Sequence, residues 1–98
     1  MDEELINALE KAGIDVRIPR DMVAIAEGFA RTHEREFTMK VIGYHDPEGM
    51  DCVDVEFLIP GTLESATDLD FRLTKLLVHY FPHIPYEFVI SIVPMESI

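Results

Sequence analysis

Histidine and carboxylate side chains are the residues of this sequence whose chemistry suits a metal ion. His79 and His83 are four residues apart, but Pro82 ends any helix between them and removes the one-face geometry of a helical zinc site. A second grouping, His33 and Glu36, lies where a helix is expected to give way to a strand. A divalent-cation-binding module that uses His33, Glu36, His79 and His83 is therefore kept as the alternative function.

Nucleophilic chemistry has little support in the sequence. Asp51 and Asp54 flank the single cysteine, Cys52, and negative neighbours make a thiol a poor nucleophile. The chain contains no Gly-x-Ser-x-Gly elbow, phosphate loop or dinucleotide-binding glycine pattern. The sequence therefore favours a non-catalytic protein without a cofactor, and an enzyme whose site the sequence does not reveal is the third alternative.

The charge of the chain limits the partners that it can bind. Nineteen acidic residues stand against eight basic ones, which gives a formal net charge of −11. Nucleic acids and anionic lipid surfaces are bound through Lys and Arg, so both are disfavoured as partners. Proteins and divalent cations remain, and much of the acidity is expected to serve solubility.

The composition also predicts a compartment. One cysteine cannot form an internal disulfide, and the acidic residues Asp2, Glu3 and Glu4 are unlike the basic start of a signal peptide. Apolar runs such as Phe88–Ile90 are far too short to cross a membrane. We therefore expect a cytosolic protein that does not associate with membranes.

Three segments have the apolar spacing of helices. The first covers residues 3–12 and is ended by Gly13, and the second begins near Pro19 and fades near residue 33. The third is predicted to begin at a capping box formed by residues 65–68 and must end before Pro82.

Three further segments alternate with period two or are continuously apolar, as strands do. The first strand turns Phe37, Met39 and Val41 inward, and the second turns Val53, Val55, Phe57 and Ile59 inward. We expect Cys52, Asp54 and Glu56 to face outward. The last strand, residues 86–93, is apolar on both faces, which predicts cover on both sides.

The loop of residues 46–50 determines the register of the first two strands. A five-residue loop pairs Met39 with Phe57 and Val41 with Val55, which keeps all inward residues on one face. Lys40 then lies opposite Glu56, and we expect these two to form a cross-strand ion pair.

These elements predict a single α+β domain over residues 1–98 with the order ααββαβ. A helical hairpin, residues 1–34, precedes a ββαβ unit, residues 35–98, which is half of a ferredoxin-like arrangement. A crossover through the third helix returns the last strand parallel to the second. We expect the first strand in the middle, giving sheet order 2-1-3 in an antiparallel sheet, with the helices mainly on one face.

The other face of this sheet is the most informative feature for function. It should carry a cluster of apolar side chains among polar ones: Ile42, Tyr44, Leu58, Val89 and Val93. A monomer seldom leaves such a cluster in water, so either the helical hairpin or a partner must cover it. The sequence favours a protein–protein interaction or small regulatory module that forms a homodimer through this face or through the edge of the last strand.

Overall fold

The computed structural model describes residues 2–33 and 36–95, which form three α-helices and one three-stranded sheet. The helices are α1 (Asp2–Ala12), α2 (Arg17–His33) and α3 (Leu63–Tyr80). The strands are β1 (Thr38–His45), β2 (Asp51–Ile59) and β3 (Phe88–Pro94). The α+β class and the element order are confirmed, whereas the predicted boundary between residues 34 and 35 lies outside the described residues. None of the described helices combines the length and the apolarity needed to cross a membrane.

The first helix follows its sequence pattern closely. Leu5 and Leu9, one turn apart, are both fully buried in the core. Gly13 follows the helix with a φ of +75°, a conformation that side chains with a Cβ disfavour. The backbone N–H of Ile14 then donates to the carbonyl of Leu9, which closes the end of the helix.

The second helix begins two residues before the predicted start at Pro19. The carboxylate of Asp15 accepts the backbone N–H of Arg17 at 3.0 Å, and this bond fixes the first turn. Pro19 still lies within the first turn, where its missing N–H costs nothing. The buried side includes Val23 and Ala30 as well as the predicted Met22 and Ala26.

The predicted capping box of α3 is wrong, because the helix begins one turn earlier. Thr62 is the N-cap, and its hydroxyl accepts the backbone N–H of Ser65 at 3.1 Å. The hydroxyl of Ser65 donates back to the carbonyl of Thr62. Thr and Ser are both good N-cap residues, so the local sequence offers two possible starts for this helix. The helix ends at Tyr80, before Pro82, as predicted.

The register predicted for the first two strands is confirmed. Met39 lies opposite Phe57 and Val41 opposite Val55 in an antiparallel pair. In the connecting turn, the carboxylate of Asp46 accepts the backbone N–H groups of Glu48 and Met50 at 2.9 and 2.8 Å. Asp46 therefore fixes the loop length on which the register depends.

The predicted strand order 2-1-3 is wrong; the order is β1-β2-β3, and the sheet is mixed. The third strand does run parallel to β2, but it pairs with β2 directly, so that Val55 lies beside Ile90. Central position explains the burial of β2, whose inward side chains are at most 1% exposed (Val53, Val55, Phe57 and Ile59). Met39 and Val41 on the edge strand β1 are only half-buried.

All three helices pack on one face of this sheet. The helical residues Leu5, Met22 and Leu73 belong to the same core cluster as the inward residues of β2 and β3. The helical hairpin therefore does not cover the opposite face.

The outer edge of β3 is closed by α3. Two backbone hydrogen bonds set the orientation of this strand: Val53 N–H donates to the carbonyl of Glu87, and Met95 N–H donates to the carbonyl of Ile59. The backbone N–H and C=O groups of its odd-numbered residues therefore face β2. The even-numbered N–H groups therefore point outward. The outward N–H of Ile92 donates to the carboxylate of Asp70 on α3 at 2.8 Å. Pro94, the next outward position, has no N–H to offer.

The outer edge of β1 is open by comparison. The hydrogen bond from Asp46 N–H to the carbonyl of Met50 continues the β1–β2 hydrogen-bond ladder. Because the ladder uses every second residue, the backbone N–H and C=O groups of the even-numbered residues of β1 face β2. The backbone groups of Met39, Val41 and Gly43 therefore point away from the sheet. Within residues 2–33 and 36–95, no hydrogen bond to these outward N–H groups is found.

Replacing Asp70 by Ala should destabilise the fold, because it leaves the Ile92 N–H without its charged acceptor. Hydrogen bonds to charged groups contribute about 1.5–3 kcal/mol, so we expect a loss of about 1–2 kcal/mol in urea unfolding. Asp68→Ala is the matched control on the same helix, since Asp68 makes only an exposed ion pair with Arg72 at 3.7 Å. Its effect should stay below about 0.5 kcal/mol. Equal losses from the two variants would show that Asp70 does not hold the edge.

Candidate functional site

The face of the sheet turned away from the helices, here called the open face, is the candidate functional site. It is built from alternate residues of the three strands, in rows set by the strand register. The rows are Tyr44 and Cys52; Ile42, Asp54 and Val89; Lys40, Glu56 and Ser91; and Thr38, Leu58 and Val93. All five residues predicted as an interaction surface lie on this face, and its use as an interface stays a prediction.

The apolar side chains of the open face remain accessible. Val89 is 42% exposed and Tyr44 is 40% exposed, although both are large apolar or aromatic groups. Ile42, Leu58 and Val93 are half-buried by their neighbours in the sheet. The cluster therefore surrounds the polar centre of the face without being covered by the described part of the chain.

Cys52 departs from its predicted exposure. It belongs to the outward set, as expected, but only 5% of it is exposed. Its thiol lies 3.6 Å from the carbonyl of Met50, whose own sulfur accepts the hydroxyl of Tyr86. A buried thiol with no described base beside it has no evident role as a nucleophile.

Asp54 occupies the centre of the open face, between Ile42 on one side and Val89 on the other. Its Oδ1 atom is buried and has no hydrogen-bond partner among the described residues. Burial raises the pKa of Asp54, while hydrogen bonding from the nearby Tyr44 hydroxyl has the smaller, opposite effect. The charge of Asp54 in turn is the largest cause that raises the pKa of Tyr44. Asp54 is therefore a partly buried carboxylate that interacts with the Tyr44 hydroxyl and keeps one oxygen, Oδ1, without a donor among the described residues.

Lys40 lies opposite Glu56, as the register predicts, but the predicted ion pair is not formed. Lys40 makes no ion pair with any described residue. Both side chains are accessible to water, and exposed pairs gain too little to hold two long side chains in one geometry. The open face thus carries an ammonium group that forms no ion pair with the described residues.

The candidate metal ligands are not brought together. His33 ends α2 and stacks on Phe29, with ring centroids 4.4 Å apart, and Glu36 precedes β1. His79 is in the last turn of α3, and His83 follows in the connection to β3. No group of three or more potential ligands occurs in residues 2–33 and 36–95. The structure therefore gives the cation-binding alternative no site to support it.

A cleft of about 420 Å³ lies between α1 and the end of the β-hairpin. It opens because the facing residues are small: Ala8 and Ala12 on the helix and Gly43 on β1. A Cβ built on Gly43 would meet no atom within 4 Å. Lys11 also lines this cleft, together with the His45–Asp51 pair. The glycine inside β1, Gly43, was the signal in the sequence for this cleft, and it was not used in the sequence prediction.

Comparisons with protein-family models, with curated proteins and with solved structures find no match to the chain. The open face must therefore be interpreted from its own residues.

Replacing Asp54 by Asn should stabilise the monomer at pH 7. Because burial raises the pKa of Asp54 above its unfolded value, folding favours the protonated form. The stability of the natural chain should therefore rise as the pH falls from 7 through the folded-state pKa, and become constant below the unfolded-state pKa. Asn does not titrate and so removes this pH dependence. The difference in the urea midpoint between Asp54→Asn and the natural chain should therefore shrink as the pH is lowered.

Glu56→Gln is the control for this prediction, since Glu56 lies in the next row of the same face. It should leave the urea midpoint almost unchanged at pH 7. An Asp54→Asn protein that is less stable than the natural chain at pH 7 would contradict the conclusion that burial raises the pKa of Asp54.

Proposed function

We propose that this protein is a non-catalytic interaction module that associates with a second copy of itself through the open face. The observation that carries the proposal is the cluster of exposed apolar side chains on that face, led by Val89 and Tyr44. Exposed apolar side chains that cluster on one face are typical of sites at which proteins bind one another. The helices are all occupied on the other side of the sheet and cannot cover it.

The face of the sheet is favoured over the edge of β3 as the binding surface. Strand addition needs free backbone groups, and Asp70 and Pro94 remove two of the outward donors of β3. The side chains of the open face have no such competitor within the described residues. The proposed assembly is therefore a stack of two sheets, face to face.

The size of the open face sets the expected affinity. Strands about 4.8 Å apart and about 3.3 Å per residue give a face of roughly 15 by 30 Å. Two such faces bury roughly 900 Å² in total, which is less than a standard stable interface, so we expect weak association, in the micromolar range. The net charge of −11 on each chain opposes the approach of two copies, and moderate salt should therefore strengthen the dimer.

A cytosolic location is part of this proposal. The one cysteine is buried and cannot form a disulfide within the chain, so the fold does not depend on an oxidising compartment. A small regulatory protein whose dimerisation depends on its own concentration would need the interface alone, without a catalytic site or a cofactor.

The Val89→Glu protein should be monomeric at concentrations where the natural chain is a dimer. Two-fold symmetry places the new carboxylate in the interface twice, and burying unpaired carboxylates costs on the order of several kcal/mol. We expect the dissociation constant to rise at least about a hundredfold, measured by sedimentation equilibrium with circular dichroism as the test of folding.

Val78→Glu is the matched control, because Val78 is 59% exposed on α3 and lies away from the open face. It adds the same charge and should leave the dimer intact. Val89→Gln serves as a second variant, since Glu at position 89 would also lie beside Asp54 in the monomer. A natural chain that sediments as a monomer at high micromolar concentration would end the proposal.

A further inference from the structure

The outer edge of β1 offers the backbone groups that another strand needs. The N–H and C=O groups of Met39, Val41 and Gly43 face away from β2, and no acceptor for these N–H groups is found among the described residues. The outer edge of β3, by contrast, is occupied by Asp70. β1 also contains no carboxylate, although the whole chain has a net charge of −11. A strand that approaches this edge therefore meets free donors and no acidic side chain of β1.

The side chains at this edge are apolar and incompletely covered. Met39 and Val41 pack against the core but are only half-buried, because no strand lies beyond β1. Gly43, on the same face, leaves open the cleft of about 420 Å³ that Ala8 and Ala12 of α1 border. The edge therefore has a large apolar side chain, Met39, at one end and a space at the other.

Antiparallel pairing of β1 with a second copy of itself brings these two ends together. Because the free backbone groups belong to odd-numbered residues, odd-numbered residues must lie opposite odd-numbered residues. A two-fold axis at Val41 places Val41 opposite its own copy and Met39 opposite Gly43 of the other chain. The Met39 side chain of each copy then lies at the space beside Gly43 of the other. In this register the edge of β1 is complementary in shape to itself.

The two neighbouring registers lack this complementarity. An axis at Lys40 places two ammonium groups directly opposite each other, which destabilises a strand pair. An axis at Ile42 places Met39 opposite His45, whose imidazole is held in an ion pair with a carboxylate. The register with Val41 on the axis is therefore favoured.

We infer that β1 is a strand-addition site for a second copy of this chain, with Val41 on a two-fold axis perpendicular to the sheet. The two three-stranded sheets then become one continuous sheet, with the helices of both copies on the same side. This contact goes beyond the proposed function, since it uses the edge of the sheet and leaves the open face free. A single strand pair buries little surface, so its dissociation constant is on the order of millimolar, weaker than that of the face dimer.

Disulfide trapping in the full-length chain tests the register. Val41→Cys places two thiols opposite each other, at a Cα separation of about 5.5 Å that a disulfide tolerates. In a glutathione redox buffer it should form at least about tenfold more covalent dimer than Met39→Cys, whose two copies are offset by about 13 Å along the strands. Lys40→Cys and Ile42→Cys report the two neighbouring registers. More covalent dimer from either of them than from Val41→Cys would overturn the inference.

Gly43→Val, added to the Val41→Cys protein, tests the space beside Gly43. A Cβ at Gly43 meets no atom within 4 Å, so the variant should keep the circular dichroism of the folded chain. The new side chain occupies the place of Met39 from the other copy, and trapping should fall at least about tenfold. Gly28→Val is the matched control, because Gly28 also faces open space and lies on α2. Equal trapping in the two folded proteins would contradict the fit of Met39 against Gly43.

The outcomes separate this inference from the proposed function. Trapping through Val41→Cys that persists when Val89→Glu is added supports a contact at the edge, because Val89 lies on the open face. Trapping that disappears with Val89→Glu in a folded protein would overturn the edge contact, since the trapped dimer would be that of the face. A chain that dimerises through its face but shows no trapping at position 41 also overturns the edge contact and leaves the proposed function intact.

Discussion

Hydrogen bonding on both sides of β2 determines where every other element of this protein can lie. The strand pairs antiparallel with β1 and parallel with β3, and its inward side chains are almost completely buried beneath the helices. All three helices pack on that side of the sheet. The open face follows from this arrangement, because no described element remains to cover the side chains that alternate with the core.

The parts of the fold that depend on local pattern could be predicted from the sequence. Alternation along β1 and β2 and the length of the loop at Asp46 specify the register, because a shift by one residue would turn core residues to solvent. Pro82 similarly bounds α3, because proline cannot continue a helix. Strand order is a different kind of information. Periodicity shows which face of a strand is buried, but it does not show which strand lies beside it.

Features that depend on contacts distant in sequence were not predictable in this way. The hydrogen bond between the Asp70 carboxylate and the Ile92 N–H joins residues 22 positions apart, and the sequence around either residue does not predict it. Asp54 belongs to the outward set of β2, as expected, yet one of its carboxylate oxygens is buried without a donor among the described residues. Its setting depends on Ile42 and Val89, which only the pairing of three strands brings to its two sides. The sequence thus predicted the apolar cluster of the candidate site, but it did not predict the partly buried carboxylate of Asp54 at its centre.

The difference between the two edges of the sheet limits how large an assembly of this chain can become. Head-to-tail growth of a fibre would require the open edge of β1 to meet the edge of β3 in the next molecule, and Asp70 occupies that edge. Strand addition through β1 alone can join only two chains, since each partner then uses its one available edge. The proposed stacking through the open face would likewise be complete at two copies. Each of these two modes, taken alone, would therefore close at two copies, unlike the open-ended pairing to which sheets with two free edges are prone.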